Sequence, residues 1–582
     1  MSADPNDKKS FKSFRDLVRS EGREPPPPAP KPEVSESEEL IADVQDTALE
    51  ATARERIVRR PAAFEAMEHG PAVYRDVESE EMQLLAAFRV RTVFPADVQA
   101  EVRSLPRDPD PADFAGRLDL RGELVYTIDG EDAQDFDDAI HIKSLDGGRH
   151  EIGVHIADVS HYVRPGTALD DEALARATSV YLADQVVPML PEALSNHLCS
   201  LVGERDRLAY SVIMTFDEQG KRVDARVAKS VIRSVRRNTY KEVQELLDGA
   251  DTPAARALAP LAESLRMFER WTKVQQRLRD AKGSMRMSSS ERKFVFDDRH
   301  EVVGLVEAPR YFSMTLIEET ALAANQAVGD LFHARGLPTI YRVHPEKDPE
   351  EIEAVANSLV EHGLHVPKKE RLTGRDIARL IQAARKKANS EALIQRIMGL
   401  IERAVYEVRN KDDVATHFGL ARQAYLHFTS PIRRYPDLVV HRWLSAIETR
   451  GGDAETELLA DEMVRDLSEV AAHSSLQSQV AEMSEQAIGD LKVCQYMEPH
   501  IGKKLVAQVV RVSPAGMEVK LTDFGVSGFL PARAIGEKSE VKGPTLTIRA
   551  GKRMFSFNEG HPIAVRVEDV DFVKLQVLLT LA

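Results

Sequence analysis

Six carboxylates fall between Asp129 and Asp138 in the segment TIDGEDAQDFDDAIHI, and apolar strand-like residues flank them on both sides. Asp135, Asp137 and Asp138 follow Asp129 at offsets of six, eight and nine residues, with Glu131 and Asp132 between them. Like charges this close repel, and a bound cation is the usual compensation. The rival is a solvated acidic turn, but its neighbours would then be polar linker. A calcium loop of the EF-hand type needs Gly at its sixth position and Glu at its twelfth. Counted from Asp129 these are Gln134 and Ile140, which excludes it. Hard oxygen ligands favour magnesium, with manganese as the alternative, over zinc. A cation on carboxylates with room for a phosphate points to phosphoryl-transfer chemistry, for which two metals roughly 4 Å apart can activate water and steady the leaving oxygen.

Such a site needs a large scaffold, and 582 residues with 43% hydrophobic content supply several units. The formal charge of -16 argues against a chain that adheres to nucleic acid over its whole surface. Cys199 and Cys494 are the two cysteines, too few and too distant for a disulfide framework or a cysteine zinc site. No run of about 18 apolar residues suggests a membrane span, and the start lacks an apolar signal core. The expected setting is the reducing cytoplasm.

Residues 1–37 are polar and rich in proline, and read as a disordered arm. Within it Phe11, Phe14, Leu17 and Val18 have the spacing of a short helix that could dock on a protein partner; sticky tail residues are the alternative. Residues 38–78 read as helical, with Pro61 stopping the first helix. From Ser79 the pattern is α+β: helices at EEMQLLAAFRV and FPADVQAEVRSL, then strands at LVYTID and EIGVHIADVSHYV, where Ile152, Val154 and Ile156 share one side. Further on, SMTLIEETALAANQAVGDLFHA, DIARLIQAARKKA and EALIQRIMGLIERAVYEV carry the spacing of core-facing helices. Past Gly502, short strands separated by Gly and Pro suit a five-stranded barrel of the OB type.

A basic partner for the acidic cluster lies in HFTSPIRRYPDLVVHRW, where Arg433 and Arg434 follow a Ser430-Pro431 turn. Arginine's planar fork suits a phosphate oxygen gaining charge, although surface arginines are equally common. With VHIADVSHYVRPGTALDDEA and ATSVYLADQVVPMLPEALSNHLCSL between them, these two motifs resemble the RNB catalytic domain of the RNase II and RNase R exoribonucleases, over about Ser79 to Tyr496. LIEETALAAN ahead of IYRVH also matches. The resemblance implies a mixed sheet surrounded by helices over 79–498, followed by an S1-type barrel over 499–582. It also implies processive, magnesium-dependent 3′-to-5′ hydrolysis of single-stranded RNA to nucleoside 5′-monophosphates, without any small-molecule cofactor.

Carried across position by position, the resemblance makes Asp129, Asp135, Asp137 and Asp138 the metal-site aspartates and Asp137 the least dispensable. Tyr181 is the ring that sets the last nucleotide, and Arg433 the contact to the scissile phosphate. Glu485, in SEQAIGDL, lies near the terminal nucleotide; an exposed helix charge is its other reading. Two departures stand out. Pro338 takes the place of a base-clamping phenylalanine, and residues 1–78 show no strand pattern for an N-terminal cold-shock barrel. An inactive RNA-binding regulator is the alternative to an enzyme; its mark would be a broken aspartate set or a missing Arg433.

From Gly502 onward twelve basic residues face eight acidic ones, so the barrel is about +4 and the remainder about -20. Lys503, Lys504, Arg511 and Lys520 are candidate RNA contacts there, together with Arg434 and Tyr181 in the catalytic region. Met517 stands where many S1 domains present a ring; Phe524, Phe529, Phe555 and Phe557 are candidate replacements with barrel core as their other reading, and for Phe529 core is the favoured one. Arg371, Arg375, Arg379, Arg385, Lys386, Lys387, Arg396 and Arg403 could line an RNA channel or a solvated face, as could Arg233, Arg236 and Arg237.

Overall fold

A computed structural model of the chain describes residues 79–582, apart from 286–291, 298–300, 368–371 and 411–415. The arm over 1–37, the helices expected over 38–78 and Arg371 lie outside these residues. The first helices are α1 (Ser79–Ala87) and α2 (Ala96–Ser104), the latter entered through Pro95. A five-stranded mixed sheet follows, from β1 (Leu118–Asp119), β3 (Asp138–Ser144), β4 (His150–Ala157), β5 (Asp206–Phe216) and β6 (Arg222–Arg233), in the order β1-β6-β5-β4-β3. β2 (Thr127–Asp129) pairs in parallel with β7 (Arg237–Thr239).

The alternation in the sequence sets the sheet's faces. Ile152, Val154 and Ile156 lie opposite Met214, Val212 and Tyr210, all in the core. Tyr210 packs edge-on against His441 of α10 (Tyr435–Arg450), and α6 (Phe312–Arg335) also covers β4 and β5. The opposite face carries a buried polar row. His141 Nδ1 lies 2.8 Å from His155 Nε2, His155 Nδ1 2.6 Å from Ser211 Oγ, and Ser211 Oγ 2.6 Å from Ser230 Oγ. Gly153, paired with His141, leaves room for that ring: a Cβ there would come within 2.2 Å of it.

Two antiparallel strands, β10 (Thr339–Val343) and β11 (Val405–Arg409), enclose the helices α7 (Pro349–Glu361), α8 (Gly374–Ala384) and α9 (Ser390–Met398). The stretch EALIQRIMGLIERAVYEV is therefore not one helix. It is helical only to Met398, and Val405, Tyr406 and Val408, β-branched or aromatic, complete a ladder with β10 instead. The 37-residue α11 (Asp461–Met497) then runs to the C-terminal unit. Its end, through Leu491, Cys494 and Met497, joins that unit's core. Buried Lys492 pairs with buried Glu81 at 2.5 Å and ties α1 to the helix.

Five strands, β12 (Lys504–Ser513), β13 (Gly516–Leu521), β14 (Ser527–Pro531), β18 (Pro562–Asp571) and β19 (Gln576–Leu581), close a barrel in the order β12-β13-β14-β19-β18. A three-stranded sheet of β15 (Lys538–Lys542), β16 (Thr545–Ala550) and β17 (Arg553–Asn558) is inserted before β18. Met517 is fully buried in the barrel. Phe529 is not: strand alternation turns Gly528 and Leu530 inward and leaves Phe529 half-buried on the outside. Among the described residues no helix is long and apolar enough to cross a membrane.

Burial and the neighbouring His141 hold His155 neutral well below the usual imidazole range. The unfolded chain takes up that proton near pH 6.5, so the row's contribution to stability is complete above this pH and is lost as pH falls. The melting temperature should decline on acidification below about pH 6.5. His155→Gln, which takes no proton, should flatten that decline, and an unchanged slope would show that the row does not titrate with unfolding.

Candidate active site

The acidic loop starts where β2 ends, at Asp129, and returns to the sheet at Asp138, the first residue of β3. Arg237 fixes its course by donating to the carbonyls of Gly130 at 2.6 Å and Glu131 at 2.7 Å. Arg237 is thus spent on the loop, while Arg233 pairs with Asp206 and Arg236 with Glu242, so none of this trio is a free channel residue. Asp137 is anchored from a distant part of the chain, since the Ile432 backbone N–H donates to its Oδ1 at 2.9 Å.

That donor belongs to the Ser430-Pro431 turn. Asp437, on the first turn of α10, accepts from the Ser430 N–H at 2.8 Å and from both arms of Arg434 at 3.0 and 2.8 Å. Arg434 is therefore neutralised within its own turn. Arg433, in contrast, points outward: its Nε lies 3.8 Å from Asp137 Oδ2, and its guanidinium stands 6.0 Å from the centre of the Tyr181 ring. The backbone of the Tyr181 strand is bound to this turn through the Ser179 N–H, which donates to the Arg433 carbonyl at 3.1 Å. On the other side, Glu485 of α11 accepts from the Tyr181 N–H at 2.7 Å.

Asp129, Asp135, Asp137, Asp138, Tyr181, Arg433 and Arg434 all line one cavity of about 520 Å³. Ser430 of the expected turn lines it too, together with four residues that the sequence reading passed over: Tyr240, Glu318, Asn325 and Tyr425. Asn325 had a legible signal, a polar residue at a core position of an apolar helix. Its amide donates to the Tyr425 hydroxyl at 3.0 Å and its carbonyl accepts from the Phe428 N–H at 2.8 Å, fastening the segment that leads into the turn. Pro338 is buried beside β10 and is not part of the cavity wall. Lys503, Lys504, Arg511 and Lys520 also lie away from it. Lys503 sits over the Phe524 ring at 5.0 Å, Lys504 is exposed at the start of β12, Arg511 is 3.5 Å from Glu518, and Lys520 pairs with Glu391 at 3.0 Å. Arg396 and Arg403 are engaged too, with Glu559 and Glu482.

All four aspartates are harder to ionise than usual. Burial pushes Asp129 up to about 8, with Asp138 adding repulsion, and burial moves Asp138 itself to about 6 against the pull of Arg433 and Arg434. Burial likewise raises Asp135, and Asp137 more strongly. Oδ2 of Asp129 is buried with no hydrogen-bond partner. Buried, mutually repelling carboxylates with an orphaned oxygen fit a hard divalent cation. Among the described residues no three acidic, His or Cys side chains already form a ready ligand set.

Residues 117–450 match the RNB domain family. The chain belongs to the RNB family. Ribonuclease R of Thermotoga maritima is 35% identical over 83% of this chain and 67% of its own length. Across such curated relatives the chain spans from 53% to 72% of their length. Mycoplasma genitalium RNase R, solved in complex with ribose methylated single-stranded RNA, has a TM-score of 0.76 at 24% identity, covering 86% of this chain and 77% of that one. Yeast Ssd1, described as a pseudonuclease, has a TM-score of 0.60 at 18% identity, covering 82% and 58%. At these identities both structures speak for the RNB fold alone, which a nuclease and a pseudonuclease share.

Removing one repelling charge should relieve the site. Asp129→Asn should raise the melting temperature in chelator at pH 8 by a few degrees. It should also shrink the rise produced by added magnesium, as read by differential scanning fluorimetry.

Proposed function

We propose that the chain is a processive 3′-to-5′ exoribonuclease that hydrolyses single-stranded RNA to nucleoside 5′-monophosphates, with magnesium as its metal. The observation that carries this reading is the convergence of four aspartates, Asp137 buried and the other three half-buried, on the 520 Å³ cavity, with Arg433 3.8 Å from Asp137. Asp129, Asp135, Asp137 and Asp138 would hold the metal, which supplies a polarised water and neutralises phosphate charge. Arg433 is free to meet a phosphate oxygen that gains charge in the transition state. Tyr181, with its exposed ring and its backbone fixed by Glu485, offers a stacking surface that accepts any base. Stacking and backbone contact suit an enzyme indifferent to sequence.

In this reading residues 79–498 form the catalytic domain and the basic barrel over 499–582 is an OB-fold domain of the S1 type that delivers RNA. Lys503, Lys504 and Arg511 are its contacts, while Lys520 is already paired. The N-terminal arm is the candidate site for a protein partner, and the expected setting is the cytoplasm. The regulator without activity is disfavoured by the four aspartates and Arg433, all of which are kept.

Purified chain given 3′-labelled single-stranded RNA and magnesium should release nucleoside 5′-monophosphates, and chelation should stop it. Asp137→Asn should lower kcat at least about a hundredfold, and Arg433→Ala by about 100 to 1,000-fold, with folding unchanged by circular dichroism. Undiminished turnover in Asp137→Asn would overturn the assignment.

A further inference from the structure

The barrel meets the catalytic unit at a second place besides the end of α11, through the loop between β17 and β18. Glu559 in that loop is 3% exposed. Arg396 of α9 donates to it with both arms, at 3.2 and 2.7 Å. Asn389 Nδ2 lies at 3.4 Å, the Val512 N–H of β12 donates at 3.3 Å, and His362 Nε2 stands 3.7 Å away. Three bodies thus converge on one carboxylate: the barrel, α9 and the end of α7. Next to it Gly560 has φ +84°, and a Cβ there would come within 2.6 Å of the Ala388 backbone. Glycine is needed both for the left-handed conformation and for the close approach. The Lys520–Glu391 pair borders the same interface.

What this interface orients is the larger cavity of about 710 Å³ between the barrel and the catalytic unit. Its walls come from Arg511 and Phe529 of the barrel, Gln486 and Asp490 of α11, and Arg292 and Phe294 of β8 (Arg292–Phe296), which pairs antiparallel with β9 (Val302–Glu307). Gln486 neighbours Glu485, which holds the backbone of Tyr181 in the wall of the other cavity, so α11 links the two cavities. The α11 link alone would leave the barrel free to rotate about that attachment. A buried carboxylate gripped by a planar fork fixes orientation as well as distance.

We propose that Glu559 is a positioning residue for RNA: with Arg396 it locks the barrel in the pose that keeps the 710 Å³ cavity aligned with the Tyr181 cavity. This rests on the reading of the chain as an RNA-degrading enzyme, and the test separates the two. Affinity for single-stranded RNA of about 30 nucleotides, long enough to span both cavities, is measured in chelator, where no turnover is needed. Turnover of a fragment of about four nucleotides is measured in magnesium. Hydrogen exchange is followed over residues 390–398. Glu559→Ala and Arg396→Gln should each weaken binding of the long RNA about tenfold, and the double variant should be little worse than either single one. Exchange in 390–398 should quicken in both, and turnover of the fragment should stay within about twofold. Glu559→Gln, whose single amide oxygen can still accept from Val512 or from Asn389 but not from both, should recover part of the affinity and serves if Glu559→Ala does not fold. Faster exchange with unchanged affinity overturns the positioning role, and unchanged exchange overturns the lock itself. Wild-type chain that binds RNA but releases no monophosphate overturns the proposed activity while leaving affinity and exchange to decide this inference.

Discussion

One hydrogen bond joins segments 295 residues apart, from the Ile432 N–H to Asp137, and the site is assembled around it. Asp137 is buried among other carboxylates, an arrangement that costs free energy without a compensating donor or cation. The Ser430-Pro431 turn supplies the donor and carries Arg433 to the same place. Asp437 braces the turn, Asn325 fastens the segment leading into it, and the Tyr181 strand is hydrogen-bonded to its far side. Acid loop, basic turn and aromatic ring are therefore one connected unit, and displacing any member exposes the others to unbalanced charge.

The electrostatics divide the arginines into two kinds. Arg237, Arg434 and Arg442 point their forks at carbonyls or carboxylates of the protein and hold loops in place. Arg433 keeps a loose 3.8 Å contact and remains 41% exposed in its side chain, the combination expected of a group reserved for an incoming anion. Residues of one type, two positions of them adjacent in the sequence, thus differ in role through the partners that the fold gives them.

Much of this was legible beforehand. The aspartate spacing, the turn and Tyr181 are short motifs whose residue types have few other uses, and all of them line one cavity. The readings that missed are instructive. Nothing local in AVYEV distinguishes a helix end from a strand until β10 is there to pair with it, and Phe529 reads as core until strand alternation turns it outward. Basic residues were the least legible class, because Arg396 and Lys520 are committed to acids far away in the chain, Glu559 and Glu391. The importance of Glu559 itself had no local signal, since its side-chain partners Arg396 and Asn389 lie more than 160 residues away.

The long helix α11 has a consequence for how the chain can vary. At 1.5 Å per residue its 37 residues span about 55 Å, and successive side chains turn by about 100°. Glu485 faces the Tyr181 strand, Gln486 the barrel cavity and Lys492 the buried Glu81, so the helix acts as a ruler read on several sides at once. Inserting a single residue early in α11 would rotate all of these out of phase together, whereas the loops at either end can absorb added length. The chain can accept insertions around this helix, but not within it.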